Sequence, residues 1–127
     1  MALLAALNER LKLGRSGGNA AVAQAAAGAG VDVFCDALWI AVVPELARQG
    51  PDPLFLGAER ALSVGGTVAA NGLYSVAVLV FTVLLPRAPE WALARLMGMV
   101  TAAAGIGLCA AGLLGHPYGV ALFSGLT

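Results

Sequence analysis

"ALSVGGTVAANGLYSVAVLVFTVLL", residues 61–85, contains no charged side chain and is closed by Pro86 and Arg87. At a rise of about 1.5 Å per residue it is longer than the roughly 20 residues a helix needs to cross the hydrocarbon core of a bilayer. Its reading as a membrane span sets the reading of everything around it. The whole chain is 60% hydrophobic and 11% charged with a mean hydropathy of +0.87, which would leave a soluble domain of 127 residues without a polar coat. The formal charge is zero and no basic run is present, so the long-range field that draws proteins to nucleic acid is missing.

Moving outward, "PRAPE" at 86–90 reads as a tight turn, with Pro89 suited to a first helical position and Glu90 to the positive end of the next helix dipole. Trp91 then stands where an interfacial aromatic belongs, and residues 91–114 form the third span, ended by Gly115, His116 and Pro117. On the other side, "PELARQGPDPLFLG" at 44–57 reads as a loop with an interfacial turn at Leu54 to Leu56. Before it lies the first span, residues 20–43, rich in Ala and Gly up to Val31 and stopped by Pro44.

Residues 1–15 read as an interfacial helix rather than a cleavable signal, because the charges follow the short apolar run. Leu3, Leu4, Leu7 and Leu11 share one face, Asn8, Glu9 and Lys12 lie largely on the other, and Ser16, Gly17 and Gly18 form a break before the first span. Residues 117–127 are apolar but too short to cross, and read as the start of a fourth helix: a half-inserted tail, or the opening of one completed in a longer chain. The expected fold is all-α, a single integral membrane helical bundle of residues 1–127 with three full transmembrane helices.

Membrane helices associate through close approach of small residues and through polar contacts. Gly98, Gly105 and Gly112 recur every seven residues with Ala102 and Cys109 between them, drawing a small-residue packing seam down the third span. Ser63, Thr67, Asn71 and Ser75 recur every four on the second span with Tyr74 beside them. Gln24, Gly28, Asp32 and Asp36 do the same on the first, so each span offers one inward face.

The aspartates are the candidate chemistry. An ionised carboxylate at the bilayer centre costs about 2.5 to 3.5 kcal/mol, and Asp32 falls near the middle of residues 20–43. Asp32 and Asp36, with Asn71 and Tyr74 as hydrogen-bond partners, form a candidate proton or polar-substrate site. The pair also reads as lining a shallow wet vestibule or hydrogen-bonding across the bundle to Asn71 and Thr67 to hold the helices in register, or as groups near an interface if the Ala-rich stretch lies outside lipid. Neither cysteine has a Cys/His or CxxC partner, His116 stands alone in a turn, and "AAAGIGLCAAG" at 102–112 lacks the strand and acidic residue of a nucleotide fingerprint. No catalytic, cofactor or metal residues are therefore assigned.

Residues 70–114 resemble a helical hairpin of small uncharacterised bacterial polytopic membrane proteins: a long apolar helix, a short turn with Arg and Pro, then an aromatic and a Leu-x-Gly step before an Ala/Gly-rich helix. The resemblance implies a bundle of about four helices and transfers no functional residue. One lysine against six arginines, amid much alanine and glycine, points to a GC-rich bacterial genome and so to the bacterial inner (plasma) membrane. Arg10, Lys12, Arg15, Arg87 and Arg95 fall on one side and Arg48 and Arg60 on the other, which puts the N-terminus in the cytoplasm. The expected function is a non-enzymatic accessory or assembly component acting through helix contacts, in a homo-oligomer or with another membrane protein. The alternative is a small proton- or cation-coupled transporter or channel using the aspartates. An intramembrane enzyme ranks third.

Overall fold

The computed structural model of the chain describes residues 5, 6, 8, 9, 15–49 and 53–125, and these are all-α, with no strand among them. Helix α1 is Arg15–Ala41 and, after a break at Val42, α2 is Val43–Arg48. Helix α3, Pro53–Val64, passes through a π-helical turn at Gly65–Ala70 into α4, Asn71–Leu84. A 3₁₀ turn at Pro89–Trp91 leads into α5, Ala92–Leu113, and α6 is Pro117–Ser124. Three helical stretches are long and apolar enough to cross a membrane: Ser16–Arg48, Pro53–Leu84 and Pro89–Leu113.

All three start earlier than their sequence boundaries, the first two by a helical turn or more. Ser16, Gly17 and Gly18 are helical instead of forming a break, because tertiary contacts offset the poor helix propensity of glycine. Gly17 lies against Leu84, and Gly18 against Asn8, whose amide donates to the Asn19 side chain at 2.9 Å. The segment after Pro44 is helical too, since Pro44 sits in the first turn of α2, where its missing N–H costs nothing, and Pro53 opens α3 in the same manner. The Arg48–Glu45 ion pair on α2, 2.6 Å long and solvated, adds at most a few tenths of a kcal/mol. The leucines and Lys12 of the expected N-terminal helix lie outside the described residues.

The core is made of small residues. Between α1 and α4 it consists of Ala21, Ala25, Ala77 and Phe81, flanked by Val22, Tyr74, Val80 and Leu84. Between α4 and α5 the glycines of the third span set the spacing: a Cβ at Gly98 would run into Thr82, at Gly105 into Ser75 and at Gly112 into Val68. Each seven-residue step down α5 thus meets a seven-residue step up the second span, the register of an antiparallel pair. Ser75 and Thr82 are tolerated there because their hydroxyls donate to the Asn71 and Val78 carbonyls, both at 2.7 Å.

The register also places the ends. Gly17 lies against Leu84, Gly28 against Tyr74 and Ala70, and Gly65 against Cys35, so α1 and the second span run antiparallel along their whole shared length. Arg15, Arg87 and the first turn of α5 with Arg95 therefore share one end. At the opposite end α5 stops at Leu113, level with Val68 and hence with Asp32, while α1 and α3 continue past it. Gly115, at φ 63°, closes α5: the His116 amide donates to the Ala111 carbonyl at 2.9 Å and the Gly115 amide to Gly112 at 3.2 Å, a Schellman turn. His116 then caps α6 by accepting the Gly119 amide at 3.1 Å. Helix α6 doubles back along α5, with Gly119 at Ala111 and Gly107 at Phe123.

Candidate functional site

The inward face of α1 is set by three- and four-residue steps: Gly18, Ala21, Ala25, Gly28, Asp32 and Cys35, all buried except the half-buried Asp32. The four-residue row expected from the sequence drifts off this face, because residues four apart in an α-helix advance about 40° beyond a full turn. Gln24 is consequently a flanking residue and Asp36 is exposed. Asp32 alone of the two aspartates belongs to the packing face.

Opposite Asp32 lies the π-helical turn. A Cβ at Gly65 would stand 2.8 Å from Cys35 Sγ, and one at Gly66 4.0 Å from Asp32 Oδ1, so the two glycines bring this backbone onto α1. Side chains donate to carbonyls of this turn beside its backbone hydrogen bonds. Asn71 Nδ2 donates to the Gly66 carbonyl at 3.2 Å, and the Cys109 thiol to that of Val68 at 3.3 Å. Cys35 and Cys109 are both free thiols, on opposite sides of this turn.

The result is a groove of about 300 Å³ walled by Asp32, Asp36 and Trp39 on one side and by Ser63, Thr67 and Asn71 on the other. The Tyr74 side chain faces the Asp32 carboxylate across the helix pair, within reach of its charge. Gly28 makes room for this approach, since a Cβ there would lie 3.0 Å from the Tyr74 ring. Asn71 also borders a second cavity, of about 250 Å³, with Tyr74, Ser75 and Thr101. Of the four candidate residues, Asp32, Asp36 and Asn71 line the groove, Tyr74 faces Asp32 from the neighbouring helix, and the Asn71 amide bonds to the π-helical turn. The four-residue polar row of the second span splits: Ser63, Thr67 and Asn71 face the groove, while Ser75 turns to Gly105.

Cys35, Trp39 and Thr101 belong to these cavities without having been singled out for them from the sequence. The first two follow Asp32 at the same three- and four-residue steps that mark the α1 packing face, a signal available in the sequence. Thr101 stands three residues after Gly98, on the flank of the small-residue seam.

Asp32 falls at the midpoint of the apolar helical stretch Ser16–Arg48, while its level relative to the other two spans is set by where they end. Asp32 is about 24 Å from Ser16 along α1 and Asp36 about 30 Å, at about 1.5 Å per residue. Since α1 begins at Arg15, and α5 ends level with Asp32, the aspartates stand near the end of the shared three-helix section and away from its middle. No protein-family model, curated protein or solved structure matches the chain.

Proposed function

We propose that the protein is a multi-pass component of the bacterial inner membrane, with its N-terminus in the cytoplasm, α6 as the opening of a fourth helix, and a non-enzymatic accessory or assembly role exerted through helix contacts. The observation that carries this reading is the outward face of α1. Ala23, Ala26, Ala27 and Gly30 are exposed there, and a Cβ on Gly30 would meet nothing within 4 Å. The glycines of α5 are already used inside the bundle, whereas this face offers a small-xxx-small step, Ala26 to Gly30, to a further helix. The first span is also the least covered of the three.

Single cysteines in a Cys35→Ala, Cys109→Ala background test this. In membranes, Gly30→Cys is expected to give a discrete covalent adduct, with a second copy or another membrane protein, and Gly30→Leu to abolish the native association. Adducts no more frequent at Gly30 than at the lipid-facing Leu93 would overturn the reading. In the same background a cysteine at Arg48 or Pro53 is expected to react with an impermeant reagent from the periplasmic side and one at Ala88 not to; reversed labelling would invert the topology.

A second reading draws on the facing Asp32 and Tyr74 and the polar groove: a small proton- or cation-coupled transporter in which Asp32 carries the exchangeable charge. It predicts that proteoliposomes pass protons or a monovalent cation above the level of empty vesicles, and that Asp32→Asn returns them to that level. Equal flux with and without protein would remove it.

A further inference from the structure

Beside the aspartate groove, with Ser63 and Thr67 shared between them, a larger groove of about 640 Å³ runs between α3, the end of α5 and α6. It exists because α5 stops at Leu113 while α3 continues, leaving one sector of the bundle unfilled at that level. Its lining is ordered along its length. Arg60 stands at one end, and Val64 and Val68 follow at four-residue steps, with Leu113 and Val120 on the facing walls. Ser63 and Thr67 run beside the valines and add two hydroxyls to the same wall. Arg60 is exposed and makes no ion pair among the described residues.

We propose that this groove holds one anionic phospholipid, its phosphate on Arg60 and an acyl chain along Val64 and Val68. The argument is the match of order and charge. With the Arg15, Arg87 and Arg95 end at one membrane surface, a hydrocarbon core of about 30 Å reaches the level of Asp36. Residues of α3 before Val64 then lie beyond that core, so Arg60 falls at headgroup level and the valines below it. A guanidinium presents several donors to phosphate oxygens, and basic pockets between membrane helices are a recurring headgroup site. A second copy of the chain fits less well, because a helix entering from lipid would set apolar side chains against Arg60.

The inference rests on the membrane reading, and the experiment separates the two. The purified chain is reconstituted in nanodiscs, then titrated in mild detergent with phosphatidylglycerol or phosphatidylcholine and bound lipid counted by native mass spectrometry. One phosphatidylglycerol is expected to bind about fivefold more tightly than phosphatidylcholine, the scale of a single interfacial basic residue. Arg60→Gln should erase that preference and Arg60→Lys keep most of it. Val64→Trp, which fills the groove, should weaken both lipids with helix content unchanged by circular dichroism. Failure to enter nanodiscs would overturn the membrane reading and the site with it. Incorporation without a preference for phosphatidylglycerol, a preference that survives Arg60→Gln or Val64→Trp, or a second copy in the groove would overturn the lipid site alone.

Discussion

Gly105→Leu is expected to destabilise the folded bundle by about 3 kcal/mol, read as a loss of helix and of the cooperative transition when the protein in mixed micelles is titrated with SDS. The α-carbon of Gly105 lies against Ser75, whose hydroxyl is held by its 2.7 Å bond to the Asn71 carbonyl. A Cβ alone would already collide there, and leucine adds three further carbons to an interface with no slack. Overpacking in a well-filled core costs about 1 to 3 kcal/mol, and a contact between two rigid helices belongs at the upper end of that range. Gly30→Leu is the matched control. It places the same side chain into open space, so in micelles that keep the chain monomeric its effect should stay within about 0.5 kcal/mol of native or stabilise slightly through helix propensity. Equal stability of the Gly105 and Gly30 variants would mean that the α4–α5 contact is not what holds these helices together.

The contrast between those two glycines shows where the sequence was readable. The seven-residue spacing of Gly98, Gly105 and Gly112 identifies a packing face because small residues at helical spacing have few other uses in lipid, and the structure seats all three against the second span. The hydropathy of residues 61–85 marks the second span, while the helix itself reaches back to Pro53. Other features depend on partners that no local pattern contains. The helical state of Ser16 to Gly18 rests on Leu84 and Asn8, and the π-helical turn on Cys35, Asn71 and Cys109 supplying contacts and hydrogen bonds from elsewhere. The candidate site was legible as a set of residue types, of which Asp32, Asp36 and Asn71 line one groove with Tyr74 facing Asp32. Its level relative to the other spans was not, because that is fixed by where α5 ends, more than seventy residues along the chain.

That level yields the second large effect. If the hydrocarbon core runs from the Arg15, Arg87 and Arg95 level to that of Asp36, a carboxylate at Asp36 stands at the boundary and one at Asp32 about one helical turn, or 6 Å, inside it. Asp36→Leu should then change membrane insertion of α1 only slightly. Asp32→Leu involves two opposing terms: it removes the cost of a carboxylate below the surface, and it takes away the polar neighbour that faces Tyr74, worth about 0.6 to 1.7 kcal/mol on the scale of polar contacts between membrane helices. Their near cancellation leaves a small net change. Ala26→Asp is different. Ala26 is exposed on α1 about 9 Å deeper than Asp32, has no Tyr74 within reach of its face, and lies toward the middle of the charge-free section. A carboxylate placed there is expected to cost about 2.5 to 3.5 kcal/mol of insertion free energy, enough to shift α1 from mostly inserted to mostly excluded in a translocon insertion assay. The ratio of the two effects locates the membrane. A cost at Ala26 no greater than the one relieved by Asp36→Leu would place the core nearer Arg48, return Asp32 to mid-membrane, and strengthen the case for a titrating carboxylate facing Tyr74 there.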